Sequence, residues 1–137
     1  MVNAEIFYGS DGLTAALSGH AGFAPKGQDI VCAGISALAL ALTEALNIIV
    51  TPSDVNEMNF KFNDGEFFVN ISGIEDFGLY KAIRSIFLMF QLGLSKISES
   101  YPENISVNVF NLPLGDDYNG TSEQTMTKER KEEKKWI

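Results

Sequence analysis

Two hydrophobic rhythms run along this chain, one of period two and one near 3.6, and the switches between them outline its elements. Val2, Ala4, Ile6 and Tyr8 alternate with more polar neighbours, and Leu13, Ala15 and Leu17 do so again after Gly9-Ser10-Asp11-Gly12. That predicts a β-hairpin over residues 2–8 and 13–20. Gly22, Pro25 and Gly27 then predict a loop at 21–28, with Phe23 as its one hydrophobic anchor. From about 30 to 49 the pattern turns helical, with Asp29 suited to the N-cap and Pro52 just beyond the end. Apolar residues run round nearly the whole circumference of this helix, which predicts burial on several sides, in the core or against another subunit.

A second hairpin follows. Met58, Phe60 and Phe62 alternate with Glu57, Asn59 and Lys61, Asn63-Asp64-Gly65 supplies a turn, and Phe67, Val69 and Ile71 return. Over residues 75–99, Tyr80, Ile83, Phe87, Phe90, Leu94 and Ile97 make one apolar stripe at alternating three- and four-residue spacing, which predicts a second helix. Tyr101-Pro102 ends it, and Ile105, Val107 and Val109 read as a last strand. The expected fold is α+β in the order β-β-α-β-β-α-β, two helices packed on a mainly antiparallel sheet of about five strands. One domain is expected over 1–112. The composition changes beyond it, and a flexible polar and charged tail is expected over 113–137.

At 137 residues the chain is long enough for a real core without disulfides or metals. It has one cysteine and one histidine. A lone cysteine forms no internal disulfide, and the pair cannot fill a zinc site unless carboxylates or a second chain contribute, so no metal or cofactor is expected. A free thiol and the lack of a basic, apolar leader point to a cytoplasmic setting. Residues 30–50 approach membrane-spanning length, but Glu44 and Asn47 interrupt the run and Asp29 abuts it, which favours a buried helix over a membrane partner. The net charge is −8, and residues 1–126 hold fifteen acids against five bases. Such a body repels nucleic-acid phosphate and is better suited to a basic peptide.

The candidate chemistry lies in one stretch. His20 and Cys32 flank the glycine-punctuated loop, with His20 closing a strand-like run and Cys32 near the start of the first helix. A thiol attacks as thiolate, and both an imidazole and a helix N-terminus favour that anion. In this reading Cys32 is the nucleophile and His20 the general base, while free N–H groups of the first helical turn stabilise an oxyanion. Asp29 either orients His20 or caps the helix. Ser36, one turn after Cys32, either supports the site or bonds back to its own helix. The competing reading is a non-catalytic peptide-binding module in which Cys32 is an inert core residue. A redox-sensing thiol is disfavoured, because the chain has no resolving cysteine.

Gly19-His20-Ala21, followed by Gly27-Gln28-Asp29-Ile30-Val31-Cys32-Ala33 and Ser36-Ala37-Leu38, resembles the signature of the ribosomal-processing cysteine protease family, Prp. The resemblance covers roughly residues 2–110. It implies a small homodimeric α+β endopeptidase with His20 and Cys32 as the catalytic pair and Asp29 and Ser36 in support. Gly19, Ala21, Gly22, Phe23 and Gly27 then belong to the substrate-binding loop. The implied role is removal of a short N-terminal extension from large-subunit ribosomal protein twenty-seven during ribosome maturation. Related phage structural proteins are a further implied substrate class. The implied extension ends in an apolar, aromatic-containing sequence followed by basic residues, and the alternative function is that of a dimeric, ribosome-associated peptide-binding protein.

Overall fold

The computed structural model describes residues 1–111. The boundary expected at 112 and the tail expected over 113–137 lie outside the described residues. Seven elements follow one another as the hydrophobic pattern predicts: β1 (Val2–Tyr8), β2 (Leu13–Ser18), α1 (Ile30–Ile49), β3 (Glu57–Asn63), β4 (Glu66–Ser72), α2 (Phe77–Ser100) and β5 (Ile105–Asn111). The sheet runs β3-β4-β2-β1-β5. All neighbouring pairs are antiparallel except β1 and β5, which are parallel; α2 forms the crossover from β4 to β5.

The period-two pattern sets the layers. Val2, Ala4, Ile6, Tyr8, Leu13, Ala15, Leu17, Phe67, Val69 and Ile71 all point to one face and are buried there. Both helices contribute to the same core cluster, α1 through Val31, Ile35, Ala39, Leu42 and Leu46, α2 through Tyr80, Ile83, Phe87, Phe90 and Leu94. The opposite sheet face keeps the polar alternates, together with a stacked Phe7–Phe110 pair whose centroids lie 4.6 Å apart. The helices approach closely at two notches: a Cβ on Gly93 would come within 2.8 Å of Leu38, and one on Gly34 within 3.4 Å of Ile97.

Each helix starts on an aspartate in extended conformation that accepts an N–H three residues on, Asp29 from Cys32 and Asp76 from Leu79. That cap places the start of α2 at Phe77 rather than 75. Strand β2 likewise ends at Ser18 rather than 20. Gly19 has φ of +96°; its N–H still reaches the carbonyl of Gly65 at 2.9 Å in the β2–β4 register, and the chain turns away there. His20 therefore stands just past the strand, on a turn. Helix α1 has the length and hydropathy of a membrane span, yet it packs one stripe into the core as a core helix does. Its outer stripe stays open, with Ile30, Leu40 and Ile48 exposed at 60%, 52% and 79%.

Phe87, fully enclosed between the helices and the sheet, is the sharpest test of this packing. Phe87→Ala should cost about 3–5 kcal/mol of unfolding free energy in urea titrations. A loss below about 1 kcal/mol would contradict the layer arrangement.

Candidate active site

One end of the sheet carries the site. Ser18 pairs with Asn3 and with Glu66, and Glu66 pairs with Asn63, so the start of β1, the end of β2 and the tip of the β3–β4 hairpin align. The N-terminus of α1 comes down over the same edge. His20 and Cys32 both line two adjoining cavities there. The first, of about 290 Å³, has an apolar wall that includes Val2, Leu17, Ile35, Ala39, Phe62 and Phe67, with Asp64 and Glu66 at its rim. The second, of about 540 Å³, lies under the loop and is lined by Ala21, Gly22, Gly27, Asp29 and Lys26 among others. Ser36 lines both cavities beside Cys32, as the i to i+4 spacing dictates.

Asp29 caps the helix and braces the loop. Its Oδ1 accepts the Cys32 N–H at 2.8 Å, and its Oδ2 accepts the N–H groups of Phe23 at 3.0 Å and Ala24 at 3.3 Å. The bond from Cys32 is the largest influence and outweighs the opposing cost of burial; with the weaker bonds from Ala24, Phe23 and Val31 it holds this carboxyl below its ordinary range. Of the two roles open to Asp29, the structure gives capping. It also narrows the expected oxyanion site, because the Cys32 N–H is already occupied and the Ala33 N–H goes to the Asp29 carbonyl within the helix.

The loop has three further ties. Asn104 donates its Nδ2 to the Ala21 carbonyl at 2.9 Å, and Phe23 meets Tyr101 edge-on at 5.3 Å. Lys26 reaches Asp64 at 3.6 Å across the mouth of the second cavity. Gly19 lines the first cavity, and Ala21, Gly22 and Gly27 the second. Phe23 lines neither, since its ring is turned to Tyr101. Ala21 is itself buried in the core. No cluster of metal-ligating side chains exists among the described residues.

The hairpin tip is the part that local sequence did not reveal as site. Asn63-Asp64-Gly65 reads simply as turn chemistry, and only the sheet order sets it against His20. Phe62, Asp64, Gly65, Glu66 and the loop anchor Asn104 all belong to the site or its frame.

Comparison with known proteins settles the family. A family model described as "Cysteine protease Prp" matches residues 1–106. The chain belongs to the Prp cysteine protease family. It is a cysteine peptidase. Among solved structures, an essential ribosomal processing protease Prp from S. aureus, in complex with a covalently linked product peptide, shares 24% identity at a TM-score of 0.65. That match covers 80% of this chain and 99% of the other. SMU.848 from Streptococcus mutans shares 26% identity at a TM-score of 0.59, over 82% of this chain and 96% of its own. The S. aureus protease with a substrate peptide matches at a TM-score of 0.59 and 24% identity, over 80% and 99% of the two chains. Comparison with curated protein sequences gives no match.

The Asp29 carboxylate carries a pH prediction. Because its folded pKa is depressed, its contribution to stability is complete above the unfolded value near ~4 and is lost as pH falls through the folded value. The stability gap between wild type and Asp29→Ala should therefore be constant from neutral pH to about 5 and shrink steadily below that. Urea midpoints measured across this range check it. A gap that widened on acidification would reverse the sign and contradict the bonding described.

Proposed function

We propose that this Prp-family peptidase removes the N-terminal extension of large-subunit ribosomal protein twenty-seven, with Cys32 as nucleophile and His20 as general base and acid. The observation that carries the assignment is that a cysteine peptidase with one cysteine and one histidine in its chain has both lining the same two cavities. The S. aureus relatives, described as a ribosomal processing protease with a substrate peptide and with a covalently linked product peptide, support the substrate class.

In this mechanism His20 takes the Cys32 proton, and the thiolate sulfur attacks the scissile carbonyl carbon. The C–N bond then breaks as His20 returns the proton to the leaving amine, leaving an acyl group on sulfur as a thioester. Water, deprotonated by His20, attacks the thioester; the C–S bond breaks and the acid product leaves. No cofactor enters these steps. The apolar wall of the first cavity suits an apolar or aromatic substrate side chain. Asp64 and Glu66 at its rim suit neighbouring basic residues, in keeping with the acidic body of the chain.

The reading includes a homodimer in a reducing, cytoplasmic setting. The open stripe of α1 that carries Ile30, Ala33, Ala37, Leu40 and Ile48 has one acid, Glu44, and no base, so it suits a like stripe of a second copy. Light scattering on a gel-filtered sample should give twice the chain mass, and Leu40→Glu should shift it to the monomer. A monomer at micromolar concentration in the wild type would remove this part.

The decisive measurement is intact-mass analysis of an N-terminally extended ribosomal substrate after incubation with the protein. Cys32→Ala should reduce cleavage at least about a thousandfold, and His20→Ala by roughly 100- to 10,000-fold, with both proteins folded. Cleavage that persisted in purified Cys32→Ala would overturn the assignment.

A further inference from the structure

We infer that Gly65, at the tip of the β3–β4 hairpin, is the positioning residue that sets the His20 imidazole in place. The inference rests on the reading of His20 and Cys32 as the catalytic pair. Nucleophile–base sites commonly hold the base by a hydrogen bond from a third group. Here the obvious candidate is committed elsewhere, since Asp29 spends both carboxylate oxygens on the helix and the loop. Among the described residues, no hydrogen bond holds the imidazole. Steric contact must do that work, and the hairpin tip supplies it. A Cβ built on Gly65 would lie 2.8 Å from His20 Nε2, 3.1 Å from Cε1 and 3.5 Å from Cδ2, so the Nε2 edge of the ring rests directly against the glycine.

The backbone is referenced to the same turn. The Gly19 N–H donates to the Gly65 carbonyl at 2.9 Å, which fixes the residue preceding His20 against the residue its ring touches. Main chain and imidazole are thus set by one short turn from a separate hairpin. Gly65 also has φ of +73°, but that alone does not demand glycine, because asparagine adopts this conformation at little cost. A Cβ of any residue, asparagine included, would meet the end of the His20 ring and push it from this place.

This distinction gives the experiment. Gly65→Asn and Gly65→Ala are compared with wild type and His20→Ala, using the full chain and the extended ribosomal substrate. Both Gly65 variants should lose roughly 10- to 100-fold in kcat, a loss larger than any change in KM, because the base is misplaced while most of the cavity wall is kept. The pH–rate profile of Cys32 alkylation by iodoacetamide should move toward that of His20→Ala, a shift that general loosening of the fold does not produce. If His20→Ala cleaves normally, the catalytic pair itself is wrong. If His20→Ala is inactive but folded Gly65→Asn keeps wild-type kcat and alkylation profile, the positioning role is overturned. Should both variants fail to fold, wild-type NMR still decides. The single histidine gives unambiguous ring resonances, and nuclear Overhauser contacts from its Hε1 or Hδ2 proton to the Gly65 α-protons are required; their absence overturns the inference.

Discussion

Asp29 divides its two oxygens between a helix and a loop, Oδ1 on the Cys32 N–H and Oδ2 on the Phe23 and Ala24 N–H groups. Three donors on one carboxylate make charge-assisted bonds, and these are the shortest path linking the loop after His20 to the turn that holds Cys32. The cleft keeps its shape because that anion stays bonded. The same carboxylate sits at the positive end of the α1 dipole, where negative charge is favoured.

The remaining architecture brings His20 into range. Strand β2 delivers the backbone of His20, and its neighbour β4 delivers the hairpin tip, through a pairing of Ser18 with Glu66 that spans almost fifty residues of sequence. One sheet edge thus places His20, while a helix packed on the sheet face places Cys32. The glycine notches between α1 and α2 let the helices sit close enough for a common core.

Much of this was legible in the residues. Both hairpins, both helices and the last strand follow from the change between period two and period 3.6, and the Asp29 cap from its place before an apolar run. The His20–Cys32 stretch was visible because no other cysteine or histidine competes with it. Three things were hidden. The end of β2 at Ser18 goes with the turn at Gly19, which is tied to the Gly65 carbonyl at the hairpin tip, a contact no local window contains. The commitment of Asp29 to Phe23 and Ala24 depends on the path of the loop, which Gly22 and Gly27 leave open until it folds. The role of Gly65 depends on strand order, and in the sequence it is indistinguishable from any other turn glycine.

The parallel pairing of β5 with β1 makes the two ends of the described chain unequal. Val2, at the head of β1, lines the first cavity, and the Met1 carbonyl lies against Gly19, one residue from the imidazole. Asn111, at the tail of β5, pairs with Tyr8 at the opposite rim of the sheet, roughly 20 Å away by strand rise. The head of β1 thus borders the cavities, while the tail of β5 lies a full strand length from them. A reporter group placed at Met1 would therefore sense whatever enters the cavities, whereas one placed at Phe110 would stay blind to it.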